Sequence, residues 1–350
     1  MVSLAVSVLD TEHSPIQLSG ILCNLPNVEA RVRITALIVR LHVMSANTGL
    51  ANAVAMVRAV HFGANPETLK SNAFQAAASD NDASVRASKE QEELARVLRA
   101  AGVSVVWLEP PADSRSPDGV FPNNWFSTHE DGRLVFYSME APSRRSERIP
   151  DLAEQLRAAG FVVSGVLDYS AHAQSGVFLE GTGSLVLDRI NRIAYLCPSS
   201  RTDTALARDW AGQFGFRLQW FTATDPVGRP VYHTNVVMSL GAGLAIVCFE
   251  SIPDSRERAA LRGCLEETGQ EILEISWQQV CCFAGNQLFL QGRDGPLVAL
   301  SDAANGCLTR DQQAVIDRHA ARIPVDIATI ERHGGGSVRC MLAEIFLPRQ

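Results

Sequence analysis

Ser88-Lys89-Glu90-Gln91-Glu92-Glu93-Leu94-Ala95-Arg96-Val97-Leu98-Arg99-Ala100-Ala101-Gly102-Val103-Ser104-Val105-Val106-Trp107-Leu108 is the stretch from which the architecture can be read. Leu94, Val97 and Leu98 share one face at helical spacing, and charged residues fill the other. Ser88 with Gln91 three residues on has the form of a capping box, which predicts a helix over 88–101. Gly102 is the residue type that ends a helix, and the β-branched run 103–108 then reads as a strand. The same plan returns at 152–159, Gly160 and 161–163; at 255–268, Gly269 and 271–275; and at 309–321 followed by 323–325. Paired strand-like runs lie between, 124–128 with 134–138, 177–179 with 184–187, and 236–240 with 244–249. Residues 55–62 read as a further strand, and Asn65-Pro66-Glu67-Thr68 as the opening of the next helix. A ββαβ-type unit of about 50–60 residues, used several times, accounts for this pattern.

With 350 residues, 46% hydrophobic and 20% charged, the chain has the apolar content for one large core or two small ones. One domain of pseudo-repeats over 53–350 is the economical reading. Residues 1–52 hold strand-like pieces (31–39) but no motif. They are taken as an N-terminal extension of unknown role, with Met44 or Met56 as alternative starts. A net charge of −7 leaves no basic footprint for nucleic acid. No apolar run is long enough to cross a bilayer, and no basic-then-apolar leader opens the chain. The expectation is a cytoplasmic protein that handles a small molecule, with a homo-oligomer left open. Of the eight Cys, most lie in apolar runs such as Leu244–Phe249, as reduced buried thiols do. Cys281 and Cys282 are adjacent, without metal-ligand spacing, so no metal is expected.

Ionisable and amide residues interrupt the pattern at four places. The first is Pro117-Asp118-Gly119-Val120-Phe121-Pro122-Asn123-Asn124-Trp125-Phe126, whose plain reading is a polar turn. The second is Val177-Phe178-Leu179-Glu180-Gly181-Thr182-Gly183-Ser184, where Glu180 is either a solvated strand end or a buried, paired carboxylate. It lacks the third glycine of a dinucleotide loop, and neither Ser184 nor Ser337 sits in a G-x-S-x-G elbow. The third is His233, at the mouth of an apolar strand in Val231-Tyr232-His233-Thr234-Asn235-Val236-Val237-Met238. The fourth is His333-Gly334-Gly335-Gly336-Ser337-Val338-Arg339-Cys340, whose glycines let backbone close over a ligand; the alternative is a buried Cys in a last strand.

That order of acid/amide patch, Glu-Gly, His and C-terminal Cys resembles the guanidine-modifying superfamily, which includes arginine deiminases, dimethylarginine hydrolases, succinylarginine dihydrolases and amidinotransferases. The likeness runs from about Met56 to the C-terminus. Ala141-Pro142-Ser143-Arg144-Arg145, Ser200-Arg201-Thr202 and the His233 segment look like the dimethylarginine hydrolase pattern. Asn65 to Thr68, Val120 to His129 and His333 to Cys340 look like a bacterial branch of citrulline-utilisation hydrolases. The resemblance implies a five-bladed, pseudo-symmetric α/β propeller (the pentein fold), the final strand bearing Cys340 completing the blade begun near Met56. It implies Cys340 as nucleophile, His233 as acid and base, and Glu180 orienting His233 or the substrate, with no cofactor. Asp118 would hold an α-ammonium, and Arg145 and Arg201 an α-carboxylate. Family members that bind guanidinium carry carboxylates where this chain has Asn123 and Asn124, and dimethylarginine hydrolases an Asp at Gly183. A neutral ureido tail therefore fits better than a cation, which points to citrulline. Succinylarginine dihydrolases carry Asn in this region and still take a guanidino group. Hydrolysis of arginine, methylated arginine or acylarginine, or amidino transfer, stays open.

Overall fold

Ala53–Val57 is a run of five apolar residues, every one buried, so this segment must be covered on both faces. It forms β1, which pairs in parallel with β2 (Ser104–Leu108). The computed structural model describes residues 48–350 except 70, 71, 73, 77–81, 112 and 113. Gly49–Gln350 is one compact unit. The readings of residues 1–47 lie outside the described residues. Met56 lies inside β1, so a chain starting there would lack the buried Ala53, Val54 and Ala55.

The crossover from β1 to β2 contains α1 (Ala83–Ala100), whose apolar stripe is Ala83, Ala87, Leu94, Ala95 and Leu98. The stripe extends one turn ahead of Ser88, so the helix begins at Ala83 and Ser88 is internal, not a cap. Asn65–Thr68 forms a turn, and the residues just after it, 70 and 71, where a helix is expected, lie outside the described residues. The Asn65 side-chain oxygen takes the Glu67 N–H at 3.0 Å, and the Asn65 carbonyl takes the Thr68 and Leu69 N–H groups, both at 3.3 Å.

Four further units follow. They are β3 (Phe126–Thr128), β4 (Arg133–Phe136), α2 (Leu152–Ala158) and β5 (Gly165–Asp168); β6 (Val186–Asp188), β7 (Ile193–Leu196), α3 (Thr204–Phe214) and β8 (Arg217–Trp220); β9 (Met238–Gly241), β10 (Leu244–Val247), α4 (Ser255–Glu267) and β11 (Glu271–Glu274); and β12 (Leu288–Gly292), β13 (Gly295–Ser301), α5 (Arg310–His319) and β14 (Ala321–Val325). In each, the first strand is antiparallel to the second and the second parallel to the third. The last strand, β15 (Ala343–Glu344), returns to pair antiparallel with β1, giving a first sheet of order β15-β1-β2 built from both ends of the unit. The fold is thus mixed α/β, with five three-stranded sheets of one topology. No helix among the described residues is long and apolar enough to cross a membrane.

Several strand expectations shift. The runs 161–163 and 236–240 are β-like in composition, yet the strands start later, at Gly165 and Met238, and the expected pair 177–179 with 184–187 is replaced by Val186–Asp188 pairing with Ile193–Leu196. What precedes three of the first strands is a helical turn: Pro122–Asn124, Gly181–Ser184 and Thr234–Val236. A fourth, Val338–Met341, holds Cys340 ahead of β15, so Cys340 is not in a strand. Asn123, Gly183, Asn235, Gly285 and Cys340 each lie three residues before their first strand. The turns pack on one another, Pro122–Asn124 touching both Gly181–Ser184 and Val338–Met341, and Gly181–Ser184 touching Thr234–Val236. A Cβ on Gly285 would collide with the Val236 carbonyl, so this turn too lies against its neighbour.

Candidate active site

The turn before β6 begins at Glu180, fully buried. Its Oε1 accepts the Glu140 N–H at 2.9 Å, and its Oε2 lies 2.8 Å from His233 Nε2 and 3.5 Å from Arg201 Nη1. Burial pushes the Glu180 carboxyl up, but Arg201, the His233 bond and Arg144 outweigh it and bring it down to about 2. An ionised carboxylate only accepts, so His233 Nε2 carries the hydrogen and Nδ1 the lone pair. Burial lowers His233 to about 4; Glu180 opposes the shift, and Arg201 and Arg144 add to it. The imidazole is therefore a neutral base at physiological pH.

Gly183 allows this arrangement. A Cβ there would stand 2.5 Å from Asn124 Nδ2 and 2.8 Å from His233 Nδ1. The Asp seen at this place in the family that the chain resembles does not fit beside His233. Gly183→Ala is expected to push the imidazole or the amide aside, cutting kcat/KM about a hundredfold by misplacing groups at the reaction centre. The overpacking cost is about 1–3 kcal/mol, read from the shift in thermal midpoint.

Cys340 and His233 line one cavity with Asp118, Asn124, Arg144 and Arg201, closed on one side by Gly334–Gly336. Cys340 is buried, and burial pushes its thiol up against the opposing Asn286 contact. Its Sγ lies 3.4 Å from Asn286 Nδ2 and 3.7 Å from Asn235 Nδ2. Asp118 Oδ2 accepts from Asn65 Nδ2 at 2.9 Å and Thr68 Oγ1 at 3.1 Å. Its Oδ1 has no hydrogen-bond partner among the described residues, and burial raises its carboxyl.

Arg144 is the structural cation of the site. Its Nε and Nη2 each bond Glu147 at 2.9 Å, and Nη1 donates to Asn124 Oδ1 at 2.8 Å. The pair is buried, so Glu147→Ala strands a charge, with an expected loss of about 3–5 kcal/mol of unfolding free energy in a denaturant titration. Arg201 stands 3.2 Å from Glu140 Oε2 and 4.9 Å over the Tyr232 ring.

Of the residues singled out in the sequence, Cys340, His233, Asp118, Asn124 and Arg201 meet at the cavity, with Glu180 behind His233. Asn123 lies beside it, buried, its side-chain amide without a partner among the described residues and its carbonyl taking Thr182 Oγ1 at 3.2 Å. Arg145 does not reach the cavity. It is exposed and spends its guanidinium on the Met139 and Glu140 carbonyls, both at 3.0 Å. Its neighbour Arg144 takes the buried position, because the turn Pro142–Arg145 points the two in different directions. Asn235 and Asn286, the neighbours of Cys340, were not singled out. Asn235 holds the same place as Cys340, three residues ahead of a first strand, and Asn286 follows Gly285, which holds that place in its own unit.

A family model described as N,N dimethylarginine dimethylhydrolase, eukaryotic, matches residues 58–347. No curated protein sequence matches. Among solved structures, an apo arginine dihydrolase from Cyanobacteria, ArgZ, superposes with a TM-score of 0.67 at 15% identity, over 85% of this chain and 41% of that one. The chain thus spans under half the length of full ArgZ. It spans 99% of the substrate-bound ArgZ N-terminal domain, at TM-score 0.66, 15% identity and 84% of this chain. A Pseudomonas aeruginosa DDAH, a cysteine-to-serine mutant complexed with citrulline, superposes at TM-score 0.58 and 16% identity, over 84% of this chain and 99% of that one.

Proposed function

The chain belongs to the N,N dimethylarginine dimethylhydrolase family, and from that premise we propose that it is a Cys340-dependent hydrolase whose substrate is citrulline. Residues 53–350 are read as the catalytic domain, the five like sheets as blades of a propeller, and the meeting of their leading turns as its axis.

The observation that carries the substrate is the orientation of Asn124. Arginine has only donors, so Arg144 Nη1 fixes Asn124 with Oδ1 towards itself. What remains, beside His233, is Nδ2, a donor that lacks a partner among the described residues. A ureido oxygen accepts from it; a guanidinium, all donors, cannot. The Asp118 carboxylate, with Oδ1 open, takes the α-ammonium, and Arg201 the α-carboxylate.

In the reaction, the Cys340 proton passes to His233 Nδ1, and Glu180 stabilises the imidazolium. The thiolate attacks the ureido carbon, a C–N bond breaks, and His233 returns the proton to the leaving nitrogen. Water, deprotonated by His233, then cleaves the S–C bond, the proton returns to the Cys340 sulfur, and the carbamic acid released loses carbon dioxide, breaking the second C–N bond and freeing the second amine. The sum is citrulline and water giving ornithine, carbon dioxide and ammonia.

Arginine is the second reading, since Asp118 Oδ1 can equally receive a guanidinium N–H. Ornithine is expected from citrulline, with the mass of a citrulline-derived adduct on Cys340 in quenched turnover. No ornithine from citrulline at high enzyme concentration, with release from arginine, overturns the assignment in favour of the second reading.

A further inference from the structure

Asn286 belongs to the turn before β12 and contributes nothing to substrate binding in the scheme above. It is 1% exposed, and its Nδ2 donates to the Asn235 backbone carbonyl at 2.9 Å. That bond identifies the nitrogen end of the amide and fixes its plane. The same Nδ2 lies 3.4 Å from Cys340 Sγ, and Oδ1 lies 3.5 Å from it. A thiol can thus donate to Oδ1, and a thiolate can accept from Nδ2, without the amide turning. Asn235 Nδ2, at 3.7 Å, stands as a second donor.

The approach to Asn286 is itself constrained. Phe283 holds φ at +61°, a region that a bulky residue avoids, and its carbonyl takes the Asn286 N–H at 2.8 Å. The Phe283 ring packs against Phe74 with centroids 5.6 Å apart. The left-handed backbone at Phe283, held by this packing, thus fixes the turn that delivers Asn286.

We propose that the Asn286 carboxamide, anchored on the Asn235 carbonyl, is the donor that stabilises and aims the Cys340 thiolate, with the Asn235 side chain as its weaker second. The inference rests on reading Cys340 as the nucleophile, and it makes Asn286 a catalytic residue because it touches the reacting sulfur. Amide hydrogens favour the charged form of the sulfur. They act against the burial that pushes this thiol up.

The test is alkylation of Cys340 by iodoacetamide in the full chain as a function of pH, followed by the mass of the Cys340 peptide. In Asn286→Ala the midpoint is expected to rise by about one pH unit, and the rate at neutral pH to fall about tenfold. In Asn235→Ala, which keeps the backbone anchor, the rise is about half as large. In both, kcat falls with little change in KM. An unmoved midpoint in a folded Asn286→Ala overturns the proposal. Should that variant not fold, the Asn235→Ala midpoint decides, an unmoved value again overturning it. Alkylation needs no turnover, so failure of citrulline as substrate leaves the result readable. Full activity in Cys340→Ala would remove the nucleophile reading instead.

Discussion

Cys340→Ala is expected to lower turnover by at least about ten-thousand-fold, the loss typical of removing a covalent nucleophile. Stability should barely move. Cys340 is buried, and removing one sulfur leaves Asn286 still bonded to the Asn235 carbonyl. The contrast is Cys248→Ala. Cys248 is also buried, its thiol pushed up to about 11 by burial, but it packs in an apolar core cluster and lines no part of the Cys340 cavity, so activity should persist. Steady-state ornithine release separates the two. The pH profile of the wild type adds a signature. The active enzyme holds one transferable proton, shared between Cys340 and His233. It is complete above about pH 4, where His233 is neutral, and below the raised pKa of the thiol. kcat/KM should therefore be flat across neutral pH and fall as pH drops through about 4 and His233 takes a second proton. A maximum confined to alkaline pH would show that preformed thiolate acts without His233.

The repeat was legible because helix and strand periodicities alternate with glycine stops. Gly102, Gly160 and Gly269 all take the positive φ that their position after a helix suggested. The turns ahead of the strands were not legible. Val236 and Val237 favour a strand, but Thr234 Oγ1 donates to the Ser184 carbonyl at 2.6 Å and takes the Cys197 N–H at 2.8 Å. These bonds to segments distant in sequence coil the backbone, and no local propensity encodes them. The same holds for the arginine doublet. Arg144 and Arg145 are indistinguishable in one sequence; only the buried Glu147 and Asn124 choose between them. Glu180 and His233 could be singled out because an ionisable residue set in an apolar run needs a reason, whereas Asp118 stands in a segment that reads plainly as a polar turn. Asn235 and Asn286 carry no charge, and their pairing at Cys340 joins turns more than 50 residues apart.

Asn124→Asp is the change expected to move substrate choice furthest. In the wild type, Arg144 claims the Asn124 oxygen and leaves a donor for the substrate. In the variant, one carboxylate oxygen keeps Arg144 and the other faces the site. A ureido oxygen then meets a like partner, and a guanidinium meets a charged acceptor. We expect kcat/KM for citrulline to fall about a hundredfold and that for arginine to rise about tenfold, a swing of about a thousandfold that follows from replacing a matched buried hydrogen bond by a mismatched one. The fold should survive, since Asp fits the volume of Asn and Arg144 supplies a partner. The pH dependence shows whether charge is the cause. Burial favours the neutral acid, which donates a proton as the amide does. As pH falls and the new carboxyl takes its proton, citrulline activity should recover relative to the wild type and arginine activity should drop. A citrulline-to-arginine ratio that stays at its wild-type value across the pH range would mean that Asn124 does not read the substrate tail, and Asp118 would be left as the group that does.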